Sequence, residues 1–330
     1  MLEPDHFAAH IRIEARDMVT TQIQEKTELE YKDTSSWTTA GLIKIAGIML
    51  GISAIWRIVD QFVLGLGSTW MNIFPSKLFP LLIILGFFLK YRPQEIGSVL
   101  GLSQDKIKSR VAIGILIGII FSIGIDIGGT LVYGVFIDPT YPLQLHILNE
   151  DLLGYMFIFF LTNAFLEEAL FRGLLLNAAK THLSSTASIL LSAIIFGLWH
   201  ASWPLVNGAM GGEALSGVAS IVFFTMILGI FFGIYYERFS SSKSLLGPIA
   251  VHTIVNFVNE CFKVGPEPVI QGPDVVFANS GLMMVTLLLF FLTFIPLSII
   301  LWKTKLEQTT NFWLRLTGKE YKEEQQDHEV

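Results

Sequence analysis

Residues 163–173 read Asn-Ala-Phe-Leu-Glu-Glu-Ala-Leu-Phe-Arg-Gly. They lie inside a mainly apolar run, 152–179, and a helix of about 17–25 such residues crosses a bilayer. An ionisable group at mid-membrane costs roughly 2.5–3.5 kcal/mol by insertion scales, so three of them within six positions need a reason. On a helix Glu167 and Glu168 point about 100° apart and cannot face one partner. Glu168 stands four residues before Arg172, the favourable order for an ion pair on one face. The spacing therefore predicts a Glu168–Arg172 clamp, with Glu167 left facing a cavity and Asn163 one turn before it. The competing reading is a single salt-bridge knot that braces helices.

Working outward, the rest of the chain shares this solvent. Of 330 residues, 52% are hydrophobic and 15% charged, against roughly 25% charged in a soluble domain. Phe alone occurs 26 times, and Lys plus Arg together 22; mean hydropathy is +0.58. An all-α integral membrane protein of about eight transmembrane helices follows. The expected spans are 39–59, 78–90, 111–137, 152–179, 186–204, 214–236, 245–262 and 280–302. The second is short. The seventh is interrupted by His252, Asn256, Asn259 and Glu260, and its position between strong spans makes it a buried, polar-lined membrane helix.

This divides the chain into a polar tail (1–36), a polytopic membrane domain (37–302, with a core at about 150–262) and a charged tail (303–330). Charge alternates between the connections. Lys90, Arg92, Lys106, Lys108 and Arg110 follow the second span, while Asp138, Glu150 and Asp151 follow the third. Lys180 follows the fourth, Glu213 the fifth, and Arg238 with Lys243 the sixth. By the positive-inside rule both tails are expected in the cytoplasm, with the body in the cell's inner or plasma membrane. A net charge of −6 lacks the basic excess of a nucleic-acid binder. The single cysteine, Cys261, forms no intramolecular disulfide. The polar start has no apolar core of a signal peptide, so no cleaved leader is expected.

Small residues at four-residue spacing, Gly114 with Gly118, Gly124 with Gly128 and Gly229 with Gly233, are helix-packing signals. Asn311-Phe-Trp-Leu-Arg-Leu reads as an interfacial anchor just past the last span. Asp60 and Asp126 fall in or near spans and read as packing or cavity residues. Two further polar motifs sit on other spans: Phe196-Gly-Leu-Trp-His200 and His252-Thr-Ile-Val-Asn256. Each pair has i, i+4 spacing and shares a helix face. Alone, either histidine is an ordinary hydrogen-bonded or interfacial residue.

In order, however, Glu-Glu-x-x-x-Arg, Phe-x-x-x-His and His-x-x-x-Asn on separate spans resemble the CAAX protease and bacteriocin-processing family. These are intramembrane endopeptidases that include the type II CAAX prenyl proteases. Tyr236-Glu-Arg-Phe239 and Leu245-Leu-Gly-Pro248 are similar to that family's connecting sequence. The resemblance covers about 150–262; the first three spans and both tails add to it only a membrane setting.

The resemblance implies an active site on spans 4, 5 and 7. Glu167 and His200 would activate a water, His252 and Asn256 would hold the oxyanion, and Glu168, Arg172 and Phe196 would support them. Such a set supplies a base, a proton for the leaving amine and oxyanion donors without a nucleophilic Ser or Cys. Metal use is open at this point. Without a metal, Glu167 is the base; with zinc, Glu167, His200 and His252 are the candidate ligands, although the helical His-Glu-x-x-His signature is absent. The implied partners are a peptide or membrane-protein substrate and the lipid bilayer.

Two other classes compete. One is a non-catalytic membrane scaffold, or an immunity or regulatory protein, that keeps the protease fold. The other is a proton-relaying transporter, which would show repeated halves or broken helices; neither is visible. The topology also carries a conflict of depth. Glu167 falls about 20 Å from the outer end of its span and His252 about 10 Å from the inner end of its own, at 1.5 Å per residue. His200 falls near the outer end of span 5. That helix must either run on past Trp203 and Pro204 or start later than 186.

Overall fold

Inside a bilayer every backbone polar group needs a partner within the protein, so apolar runs of this length must be helical. A computed structural model describes residues 39–65, 70–93, 96–102, 106–206, 208–266 and 279–316. Tail residues 1–36 and 317–330 lie outside them, as does the side chain of Asp126. The chain divides into two units, Met1–Lys44 and Ile45–Val330, and the second holds the helices that build the core and the polar cluster.

The main helices are α1 (Thr39–Ile58), α2 (Trp70–Tyr91), α3 (Ile107–Phe121), α4 (Leu153–Glu168), α5 (Ser185–Trp199), α6 (Gly211–Ile234), α7 (Leu246–Cys261), α8 (Ser280–Lys303) and α9 (Leu306–Leu316). Each of the eight expected spans falls on one of α1–α8. Several run on as wider π-helical turns, so that α3 lengthens into a rod Ile107–Ile137 and α4 into Glu150–Lys180. Six helical rods among the described residues are long and apolar enough to cross a membrane. They carry α1, α3, α4, α5, α6 and α8; α7 has only 16 residues. Helix α2 starts at Trp70 rather than near 78, because Pro75, Lys77 and Pro80 depress hydropathy without breaking the helix. Residues 311–316 lie in α9, with the side chains of 312–316 outside the described residues.

The outward faces are apolar. Leu288 (60%), Leu292 (61%) and Ile299 (50%) of α8 are exposed, as are Leu116 and Ile119 of α3. Faces of this kind call for hydrocarbon rather than water around them. The chain is an all-α, multi-pass integral membrane protein.

Close approach of helices depends on two of the glycine pairs. A Cβ at Gly114 would stand 2.6 Å from the Gly247 carbonyl oxygen, and one at Gly118 2.7 Å from Ile254 Cβ, so α3 lies directly against α7. A Cβ at Gly229 would stand 2.9 Å from Ala193 Cα, bringing α6 onto α5. The Gly124 and Gly128 pair is different: the nearest atom that a Cβ at Gly124 would meet on another element is Thr293 Oγ1, at 4.0 Å. Behind the site, Phe121, Phe231, Phe232, Tyr235 and Val251 form a buried cluster.

Glu237 ties three helix ends together. It accepts hydrogen bonds from Lys180 Nζ at 2.7 Å and Ser185 Oγ at 2.8 Å. This knot removes the conflict of depth. Counted from the shared turn, Glu167 lies thirteen residues back from Lys180 and His200 fifteen residues on from Ser185, or about 20 Å each at 1.5 Å per residue. Regular helix α5 stops at Trp199, where His200 caps it, but the rod carries on past Pro204 through a further turn, Trp203–Val206. At the opposite end a two-stranded antiparallel pair, β1 (Leu145–Ile147) with β2 (Phe262–Val264), joins the approach to α4 to the exit from α7.

Candidate active site

Three helices supply the charged centre. Helix α4 carries Glu167 and Glu168 in its last turn, and its backbone widens into the π-helical segment Ala169–Leu176 immediately after them. Such widenings are frequent at functional sites. His200 caps α5, and His252 stands midway along α7.

Glu168 forms the clamped half, held through Oε1 alone, with Oε2 unpartnered among the described residues. Its Oε1 accepts from Arg172 Nη1 at 3.1 Å, the i, i+4 pair that the spacing predicts, and lies 3.0 Å from His252 Nδ1. Arg172 Nη2 donates to the Gly229 carbonyl at 3.2 Å. The guanidinium also lies over the rings of Phe196 and Phe232, at 4.3 and 5.1 Å. Phe232 stacks on the His252 ring, with centroids 5.0 Å apart and planes inclined by 17°. Glu168 and Arg172 are fully buried and His252 nearly so. Charges this deep are stable only when paired and hydrogen-bonded.

Glu167 forms the open half and is 1% exposed. Its Oε1 accepts from Trp199 Nε1 at 3.1 Å and lies 3.5 Å from Lys77 Nζ. Its Oε2 faces His252 Nε2 at 3.6 Å and His200 Nε2 at 3.8 Å, and it has no hydrogen-bond partner among the described residues. His200 Nδ1 lies 2.9 Å from the Phe196 carbonyl oxygen. A carbonyl only accepts, so Nδ1 carries a proton, and Nε2 faces Glu167. Phe196 also meets the His200 ring edge-on at 4.8 Å.

Asn256 lies one turn beyond His252 on α7, half-buried, and among the described residues no hydrogen bond draws it to this cluster. Asn163 is buried, with Oδ1 unpartnered among the described residues. The structure thus brings Glu167, Glu168, Arg172, Phe196, His200 and His252 together.

Sequence reasoning treated the first spans as membrane setting only. Here α2 packs along α4 and supplies Lys77. Helix α1 supplies Arg57, whose guanidinium lies 4.7 Å from the centroid of the Trp199 ring. Asp60 lies within electrostatic reach of both cations. The available signal was Arg57 and Asp60 at i, i+3 near a span end, and Lys77 between two prolines.

The three candidate metal ligands are neighbours. Yet among the described residues no three His, Cys, Asp or Glu side chains are grouped to hold a metal ion. The Lys77 ammonium beside Glu167 also opposes a second cation there.

The chain is a multi-pass helical membrane protein with one glutamate buried between two imidazoles and a second paired with an arginine. Residues 149–258, about a third of the chain, match the family model described as type II CAAX prenyl endopeptidase Rce1-like. Comparison with curated proteins and with solved structures gives no match. The matched stretch holds all the motif residues and excludes Arg57, Asp60 and Lys77.

Proposed function

We propose that the protein is an intramembrane endopeptidase in which Glu167 and His200 activate a water while His252 and Asn256 hold the oxyanion. The observation that carries this reading is the convergence of Glu167 Oε2 with the Nε2 atoms of His200 and His252, at 3.8 and 3.6 Å. Separations of this size are longer than a direct hydrogen bond and suit a bridging water.

The water gives a proton to Glu167, and its oxygen attacks the carbonyl carbon of the peptide. The carbonyl π pair moves onto oxygen, where an N–H of His252 meets the developing charge. Glu168 holds the ring from its Nδ1 side, at 3.0 Å. Asn256 supplies the second donor, as the family resemblance implies. Collapse re-forms the carbonyl and breaks the C–N bond, and the departing nitrogen takes the proton from Glu167. Preorganised donors of this kind contribute about 2.7–4 kcal/mol each to the transition state. The Trp199 hydrogen bond and Lys77 hold Glu167 in place. No step passes through a metal. The charge alternation between spans favours both termini in the cytoplasm.

The test is cleavage of a peptide library by the detergent-purified full chain, beside Glu167→Ala and His200→Ala. Activity in the wild type and loss in both variants is the expected result. Equal behaviour of wild type and both variants, in the tube and in cells, would favour the non-catalytic scaffold.

A further inference from the structure

Helix α4 carries a second polar residue on the face of Glu167 that the charged centre does not use. Asn163 stands one turn before Glu167, the i, i+4 relation that sets two side chains on one helix face. It is 6% exposed, and its Oδ1 has no hydrogen-bond partner among the described residues. The ordinary use of an asparagine on a membrane helix is a hydrogen bond that helps join neighbouring helices. Asn177 of the same helical rod shows that use: it donates to the Gly173 carbonyl at 2.8 Å and to Tyr236 Oη at 2.9 Å. A buried acceptor left without a donor is destabilising, so Asn163 calls for a donor that the helices themselves do not supply.

Its surroundings indicate the kind of donor. Helices α4 and α7 pack along one another in opposite directions. Glu168 Oε1 meets His252 Nδ1 at 3.0 Å at one level, and Met156 Sδ meets Cys261 Sγ at 3.8 Å at another. Asn163 lies between those levels on α4. Across the seam, Asn256 and Asn259 stand four and seven residues beyond His252, on its face of α7. Asn259 Oδ1 is likewise buried without a partner among the described residues. Beyond this row of amides the seam ends in the apolar cluster of Met156, Phe159, Phe160 and Cys261.

We propose that Asn163 accepts a hydrogen bond from a main-chain N–H of the peptide substrate, about two residues from the bond that is cut, and so lays the peptide along α4. The inference rests on the endopeptidase reading. Distance supports it. Asn163 and Glu167 lie about 6 Å apart along the helix, at 1.5 Å per residue. The hydrogen-bonding groups on one edge of an extended chain recur every two residues, or about 6.6 Å. A peptide whose carbonyl reaches the water at Glu167 therefore brings an N–H of the same edge opposite Asn163. Access adds no separate demand. Glu167 is buried more deeply than Asn163, and a chain that reaches it also meets the adjoining turn of the same helix.

Ester replacements in one library peptide test this with the full chain in detergent. Each main-chain amide near the cut, other than the scissile one, is exchanged in turn for an ester, which removes a single N–H. One ester, about two residues from the cut, should lower kcat/KM of the wild type about tenfold, the scale of losing a buried hydrogen bond. Asn163→Leu should cut the all-amide peptide as poorly as the wild type cuts that ester, and should be indifferent to the exchange. An asparagine that only supports the fold would lower both peptides alike and leave the tenfold ratio in place. That result overturns the proposal. A wild type insensitive to every ester also overturns it, without any variant having to fold.

Binding of the same peptides to Glu167→Gln separates this contact from the peptidase reading. Tighter binding of the all-amide peptide than of one ester, lost in Glu167→Gln with Asn163→Leu, upholds the contact even if the wild type cuts nothing. Equal binding of every version sinks the contact, and cleavage by the wild type alongside it upholds the peptidase alone.

Discussion

Glu167 and Glu168 are adjacent in the chain and equally hidden from solvent, yet their surroundings oppose one another. Glu168 sits against Arg172 and His252 in a wall of phenylalanine. Glu167 has one oxygen held by Trp199 and Lys77, and the other turned toward two imidazole nitrogens beyond hydrogen-bond range. One helical step of about 100° produces the difference. Each carboxylate keeps one oxygen without a hydrogen-bond partner among the described residues; the difference is that Glu168 sets its other oxygen against a guanidinium, while the unpartnered oxygen of Glu167 faces two imidazole nitrogens.

Exchanging each carboxylate for an amide should pull the two roles apart. Glu167→Gln keeps the shape and the acceptor for Trp199 but removes the base. We expect kcat/KM for a cleaved peptide to fall about 10²–10⁴-fold, the range for losing a general base, with the protein still purified as a folded species. Glu168→Gln should instead act on stability. It leaves Arg172 as a buried cation without its counter-charge, at a cost of about 3–5 kcal/mol, seen as a lower unfolding midpoint in detergent and a poorer yield. An active, unstable Glu167→Gln beside a stable, inactive Glu168→Gln would reverse the assignment.

Much of this contrast is legible in the sequence. The i, i+4 spacing of Glu168 and Arg172 implies the clamp, and three motifs on three apolar spans locate the rest. The level at which His200 meets Glu167 is not legible, because it depends on where α5 stops and on the Glu237 knot that aligns the helix ends. Lys77 is hidden for another reason. A lysine at the edge of an apolar run is ordinarily one that snorkels to the interface, and only the early start of α2 at Trp70 puts it inside. Arg57 likewise reads as the end of a span until Trp199, far along the chain, is seen beneath it. Asn256 shows the reverse: its sequence motif is explicit, and among the described residues no hydrogen bond draws it into the cluster.

Trp199 tests how much of the behaviour of Glu167 is imposed from outside. Trp199→Phe keeps an aromatic ring beneath Arg57 and deletes only the Nε1–H that holds Glu167 Oε1. A hydrogen bond to a charged group contributes about 1.5–3 kcal/mol, so a drop in kcat of roughly tenfold is expected, with KM nearly unchanged. A rise in KM at constant kcat would mean that the indole serves substrate binding rather than the base.

The smallest expected effect is none, and it bears on what the open half contains. If Glu167, His200 and His252 were zinc ligands, dialysis against a chelator would abolish cleavage and added zinc would restore it. The surroundings argue otherwise. Lys77 places a positive charge 3.5 Å from Glu167 Oε1, and like charges sharing one carboxylate repel where water is excluded. Chelation should therefore leave the rate where it was, and Lys77→Met should lower it by releasing Glu167 from its counter-charge. A chelator-sensitive enzyme made more active by Lys77→Met would mean that the lysine had been competing with a metal, and the base assigned to Glu167 would become a ligand.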